Sequence, residues 1–387
     1  MSQSKFKAAN LLAGTAVVAL GLAVAGQASA DGHARVIKSS KDQVSLKISG
    51  QISREMTYLD DGVNERIRHA DSNYSSSRFR FHADAKVNAD LKVSGLAEIA
   101  LDDARNTVSN VAGSTNNSRS GNDLQTRIAE IQFKHSQFGK LSLGAGNAAA
   151  NGVANTSLHG IYSALPGGMF LQTTTTEFTN SATNTQSGAD IGKTLAELDF
   201  NSRTTRIRYD TPVLAGFQAS VSHSDSQQLE YALRYSGKAF DTRIKASVGM
   251  AQNTSTFTNS ANISASEMYG AYIAAIHSSG LGATFGCGYF NSNTSENEKD
   301  PAGCHVQGHF QRKFNELGKT SLVLEYEQKD DVAARGDIAK GYGVTLHQAI
   351  DNAALEIWAK YASFELDRDG TDFNDMDAFT VGTRIKF

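Results

Sequence analysis

The chain has 387 residues, with 3 prolines against 34 glycines, and a formal charge of −3 at pH 7. Its 37 basic and 40 acidic side chains leave no basic excess, which excludes the charge footprint of a nucleic-acid binder. Mean hydropathy is −0.35, and after Ala30 no apolar run approaches the roughly 18 residues of a membrane-spanning helix.

The first thirty residues are a secretory signal peptide by pattern. Lys5 and Lys7 give a basic start, 11–25 an apolar run too short for a permanent anchor, and Ala28-Ser29-Ala30 a small-residue cleavage site. Cleavage leaves residues 31–387 and removes both lysines, so the mature chain is more acidic. Export takes Cys287 and Cys304 into an oxidising compartment, where a disulfide is permitted and only one intramolecular pairing exists.

From residue 43 the chain alternates. Val44, Leu46, Ile48, Gly50 and Ile52 share one face, against Ser45, Lys47, Ser49, Gln51 and Ser53. That is the pattern of a strand with one apolar and one wet face. A polar, acidic loop follows, with Asp60, Asp61, Glu65 and Asp71. Then 78–101 reads as a hairpin: Phe79, Phe81, Ala83, Ala85 and Val87 alternate with Arg78, Arg80, His82, Asp84 and Lys86, and Leu91 to Leu101 repeats the pattern after a tight turn. Runs of about 11 residues exceed the usual soluble strand and match a tilted membrane-crossing one. Residues 102–123 are a Ser/Asn/Gly loop, and strands are predicted over 124–135 and 140–147.

Residues 148–202 break the pattern. They are rich in Ala, Asn, Thr and Ser, contain Pro166-Gly167-Gly168 and show no sustained period; a connection this long is expected to be functional. Alternation then returns to the end, with turns near 211–214, 237–239, 278–280, 315–318 and 350–352. About sixteen strands result, joined alternately by short and long connections, the 225–227 link excepted. That asymmetry fits an all-β, transmembrane, antiparallel up-and-down barrel with tight turns at one rim and long loops at the other. So many strands leave an interior too wide for side chains to fill, so the charged faces should line a wet lumen and the apolar faces meet lipid. Tyr58, Tyr209, Tyr235, Phe310, Tyr326 and Tyr361 suit interfacial girdles.

The chain at this point resembles the Gram-negative general-diffusion porins, trimeric sixteen-stranded outer-membrane channels. Phe138-Gly139-Lys140-Leu141-Ser142-Leu143-Gly144 resembles their turn and strand before the third loop. Arg206-Ile207-Arg208-Tyr209-Asp210-Thr211-Pro212 with Ala215-Gly216-Phe217 resembles the hairpin after it. Val381-Gly382-Thr383-Arg384-Ile385-Lys386-Phe387 ends in the terminal Phe typical of them. The resemblance covers the mature chain. It implies passive diffusion of small hydrophilic solutes and ions, a homotrimer in the outer membrane among lipid and lipopolysaccharide, and 148–202 as a third loop folded into the lumen. It also implies a basic wall, which Arg78, Arg80, Arg206 and Arg208 match on lumen-facing parity. Arg127 falls on the opposite parity unless a bulge intervenes. Family members set acids of the third loop against that wall; here Pro166-Gly167-Gly168 has none beside it, and Glu177 and Asp190 are the nearest.

The expected constriction is therefore Arg78, Arg80, Arg206 and Arg208 with Glu177. Lumen-side bases (Lys47, Arg78, Arg80, Lys86, Arg206, Arg208, Arg234, Arg243, Lys245, Arg384, Lys386) exceed lumen-side acids (Glu55, Asp84, Glu98, Glu130, Glu230, Glu325, Glu327, Glu356), which predicts a basic throat and a modest anion preference. A polar third loop has no apolar seat in such a lumen and should simply narrow it. Loop acids such as Asp60, Asp61, Asp102, Asp103, Glu296, Glu298, Asp330, Asp331, Asp367 and Asp369 read as solvated faces, with divalent-cation bridging to lipopolysaccharide the alternative. Cys287 and Cys304 flank 288–303 at adjacent strand ends and should form a disulfide.

Catalytic and cofactor signals are poor. Gly192-Lys193-Thr194 and Gly318-Lys319-Thr320 lack the leading glycine of a phosphate loop, and there is no GxSxG. His305 and His309 share a strand face but stand roughly 13 Å apart at strand rise, too far to chelate one metal. No catalytic residue, metal or cofactor is expected. The rival readings are a substrate-selective channel and a barrel-anchored adhesin or structural protein.

Overall fold

The computed structural model describes residues 36–38, 44–101, 124–173, 175–200, 202–225, 227–258, 264–291 and 300–387. The signal peptide and the acids Asp102, Asp103, Glu296 and Glu298 lie outside them.

The chain forms a closed antiparallel barrel of 16 staves. A short strand β1 (Val36–Lys38) pairs with the start of β2 (Val44–Asp60). The second stave is split into β3 (Glu65–Ala70) and β4 (Arg78–Lys86); β5 (Leu91–Leu101), β6 (Leu124–His135) and β7 (Gly139–Asn147) follow. After the third loop, which carries a small hairpin β8 (Glu177–Asn180) and β9 (Thr185–Asp190), the wall resumes with β10 (Arg203–Asp210), β11 (Phe217–Ser224) and β12 (Gln228–Ala239). It continues through β13 (Thr242–Thr258), β14 (Ser264–His277), β15 (Leu281–Asn291) and β16 (Ala302–Asn315). It ends with β17 (Gly318–Asp330), β18 (Ile338–Ile350), β19 (Leu355–Asp367) and β20 (Met376–Lys386). β20 pairs with β2 to close the ring, and Gly50 and Phe387 exchange backbone hydrogen bonds of 2.7 and 3.1 Å. Full closure leaves no unpaired sheet edge to face lipid.

The apolar faces point outward. Ile131, Leu143, Ile207, Leu233, Ile273, Val306, Leu324 and Leu346 are exposed, while Ser53, Glu98, Ser142, Arg206, Glu230, Gln307, Glu327 and Arg384 on the opposite parity are buried. A soluble barrel would invert this arrangement. Phe217–Tyr235 and Tyr326–Tyr342 ring pairs stand at centroid separations of 4.7 and 5.2 Å.

Two stretches depart from the sequence expectation. The turn placed at 237–239 lies at 240–241: Ala239 pairs with Thr242, and Phe240 and Asp241 take φ of 46° and 59°. A two-residue hairpin turn of type I′ needs left-handed backbone at both central positions, whatever the residue. The acidic loop expected after β2 contains a strand, β3, and then an inward excursion. Gln51 pairs with Arg78 and Glu55 with Ala70, so residues 71–77 stand opposite only 52–54. The surplus has nowhere to go within the ladder and folds into the barrel, where Asp71, Ser72, Tyr74, Ser75, Ser76 and Ser77 are all buried.

The third loop does lie inside the barrel, but it has apolar seats. Met169, Phe178, Ala189, Ile191 and Leu195 pack with Leu59, Ala339, Ala362, Phe364, Met376 and Ala378 on the inner faces of β2 and β18–β20. Ala150, Val153, Ala154, Leu198 and Phe200 pack with Ala232, Ala251, Met268, Tyr272 and Phe290 on β12–β15. Each buried Phe, Leu or Ile contributes about 1.5–3 kcal/mol. Inward glycines make room: a Cβ at Gly249 would stand 2.8 Å from the Phe200 ring, and one at Gly288 2.7 Å from Leu198 Cβ.

Candidate pore constriction

Three arginines hold the start of the third loop by its backbone. Arg206 Nε and Nη1 donate to the carbonyls of Asn147 and Gly144 at 3.0 and 2.9 Å, and its Nη2 pairs with Glu130. Arg208 Nη1 donates to Ala148 O at 2.8 Å while its Nη2 bonds Asp210 at 2.7 Å. Arg234 Nη2 reaches the carbonyls of Ala149 and Asn151, both at 2.9 Å. A planar fork of donors suits such multiple capture. The loop then follows the inner wall. Gln307 Nε2 donates to Ala164 O at 3.1 Å, Gln311 Nε2 to His159 O at 3.3 Å, and His159 Nε2 lies 3.2 Å from Gln307 Oε1. Burial pulls the His159 imidazole down to about 4. Arg384 stacks over the Tyr162 ring at 4.6 Å. On the return arm, Asp199 accepts the backbone N–H groups of Gly152 and Ala154 at 2.7 and 3.1 Å, and Lys329 Nζ donates to Ala196 O at 2.9 Å. Burial pushes the Asp199 carboxyl up despite these donors.

This path runs along the inner faces of β10–β20 and reaches Leu59 on β2. The wall opposite it, on β4–β6, carries the basic cluster. Arg78 Nη1 lies 3.2 Å and Arg127 Nε 2.6 Å from Glu98 Oε1, and Arg80 Nε lies 2.5 Å from Glu98 Oε2. Arg127 reaches this face because the ladder slips: Glu98 pairs with Ile128 but Ile99 with Thr126, leaving residue 127 as a bulge. Three guanidinium charges therefore share one carboxylate. Arg80 is the most open of the three, its side chain 34% exposed.

The residues expected at the constriction thus separate. Arg78 and Arg80 come together, with Arg127 added. Arg206, its side chain 3% exposed, and Arg208 are set apart by their bonds to backbone carbonyls and anchor the loop. Glu177 sits on β8, where its Oε2 accepts Gly188 N at 2.9 Å. That hairpin faces the loop rim: Thr179 Oγ1 donates to Asp61 O at 2.7 Å and Ser181 N to Asp372 O at 3.0 Å. Gly192-Lys193-Thr194 is part of a single helical turn that Asp190 caps, with Lys193 Nζ 2.8 Å from Asp190 Oδ2. Sequence reading missed the 71–77 excursion; its only trace is the Ser/Asn/Tyr run where the alternation should continue. Cys287 and Cys304 are direct cross-strand partners on β15 and β16 and form a disulfide, Cα atoms 4.1 Å apart.

Comparison with known proteins agrees with this architecture. The sequence model of the Gram-negative porin family matches residues 14–384. Among curated proteins none matches significantly. In vitro folded OmpT, an outer membrane protein of Vibrio cholerae, superposes with a TM-score of 0.58 at 16% identity, over 92% of this chain and 100% of that one. An anion-selective porin from Comamonas acidovorans gives 0.60 at 14%, covering 89% and 100%. Salmonella typhi OmpF, in complex with daunomycin, gives 0.53 at 12%, covering 91% and 100%. At these identities the likeness is one of fold, and the family match carries the assignment. The chain belongs to the Gram-negative porin family, as a channel-type β-barrel of the outer membrane.

Proposed function

We propose that this porin is a general-diffusion channel for small hydrophilic solutes and ions, with a modest preference for anions. The observation that carries the reading is the cluster of Arg78, Arg80 and Arg127 on the single carboxylate of Glu98. Charges at the narrowest zone dominate permeation, because screening over about 8–10 Å confines every other zone to local action. The C. acidovorans neighbour is titled anion-selective, which fits the same sign. The reading assigns transport and no catalysis. It includes removal of residues 1–30 on export, and a homotrimer embedded in outer-membrane lipid and lipopolysaccharide; one solved V. cholerae OmpT form is titled a trimer.

Reversal potentials in a salt gradient test it. The unaltered channel should favour anions, and Arg80→Glu with Arg127→Glu should move the ratio toward cations. An unmoved potential would remove both residues from the throat.

A further inference from the structure

The excursion at 71–77 is a built element rather than slack. Asp71 organises it, accepting Ser72 N at 3.0 Å, Ser77 N at 2.9 Å and the Ser77 hydroxyl at 2.9 Å. The wall beneath holds it: Gln51 Nε2 donates to the carbonyls of Ser75 and Ser76 at 3.0 and 2.9 Å, and Ser72 Oγ donates to Glu55 at 2.8 Å. It leans over the inner faces of β20 and β19 toward the third loop. Lys360 stands where the two meet, its Nζ 4.8 Å from the Tyr74 ring centroid, 3.4 Å from Ser163 O and 2.5 Å from Glu325 Oε1. A buried ammonium over a ring face is an attractive contact. The cleft between the two segments, lined by Ser72, Tyr74, Ser75, Tyr162 and Ser163, has only about 10 Å³, room for about one water. On its other side the segment sets the basic cluster: Arg78 Nε donates to Ser76 O at 2.9 Å and its Nη2 to Ser76 Oγ at 3.1 Å.

We propose that residues 71–77 are a second constriction element, a seal that closes the gap between the third loop and the β19–β20 wall and so sends every solute past Arg78, Arg80 and Arg127. Tyr74 is its specificity-determining residue. The inference rests on the channel reading above and adds to it the route of permeation. A loop that merely narrowed the pore would leave two routes, one through the basic cluster of β4–β6 and one lined by Tyr74, Tyr162, Trp358 and the paired Glu356 and Arg384. With the seal in place only the basic one conducts.

The experiment compares the full-length barrel, a variant lacking Ser72–Ser75, and Tyr74→Ala, each first shown to be folded by heat-modified gel migration. The deletion leaves Asp71, Ser76 and Ser77 to span 52–54. It should raise single-channel conductance roughly 1.5-fold, since conductance follows the open section, and should move the reversal potential toward no selectivity, because the bypass sets its bases, Arg384 and Lys360, against the acids Glu356 and Glu325. Tyr74→Ala should shift both in the same direction by less, and should speed entry of a trisaccharide into proteoliposomes relative to a monosaccharide. Folded variants with unchanged conductance and unchanged reversal potential would overturn the seal while leaving the channel reading intact. No conductance from the unaltered protein would overturn both.

Discussion

Arg206 and Arg80 carry the same guanidinium on the same lumen-facing parity, and their surroundings give them different work. Arg206 is sealed against Glu130 and two carbonyls, whereas Arg80 shares Glu98 with two other arginines and faces water. Arg206→Ala should cost about 3–5 kcal/mol, because it strands a buried carboxylate and two loop carbonyls. The reading is a fall in the temperature at which the folded band disappears on gels; Arg80→Ala should hardly move it. Alternation in the sequence assigned both residues to the lumen and could go no further, since parity says which face a side chain takes and nothing about its partner. It left Arg127 to depend on a bulge for the same reason, and the bulge at residue 127 is what brings it to the lumen. His159 contributes one pH dependence. Its pKa, pulled from 6.5 to about 4, means that its contribution is whole above about pH 6.5 and is lost as pH falls through about 4. Acidification over that window should loosen the loop at His159 by a contribution approaching about 3 kcal/mol, opposed by Glu197 and Asp199, whose carboxyls burial raises. The effect is therefore read as the difference in current noise between the unaltered protein and a His159 variant. His159→Gln should flatten the response, and noise that rises equally in the variant would place the acid sensitivity elsewhere.

The staves were legible as elements because most of each shows period two, broken locally where a ladder slips, as at residue 127 of β6. The third loop was legible only by its length and position. Its apolar residues follow no period, because Met169 and Ile191 pack in one cluster, Val153, Leu198 and Phe200 in a second and Ile161 in a third, each set by the wall beside it and not by the loop's own spacing. That is why the loop read as polar and seatless, although it has two large apolar footholds and a smaller one at Val323. The signal that could have found them lies in the wall, where Leu59, Phe364, Met376 and Phe290 are large apolar residues on lumen-facing parity. A loop bound this way narrows the pore as a fixed body. Deletion within 164–176 should raise single-channel conductance in a barrel that still migrates as folded, and should do so steadily rather than through flicker. Unchanged conductance would put the loop outside the permeation path.

For the whole molecule, the apolar faces turn outward and the charged ones inward, so the barrel is stable in lipid and wet within. Its lumen is divided: the third loop and the 71–77 segment occupy the side of β10–β20 and β2, and the arginines of β4–β6 hold what remains. A channel with one basic route should be anion-preferring and uniform from molecule to molecule. The direct measurement is single-channel recording of purified, heat-modifiable protein in planar bilayers under a salt gradient. Stepwise openings of one size, reversing on the anion side, are the expected result. A correctly folded barrel that inserts without conductance steps, or whose steps reverse on the cation side, would contradict the account.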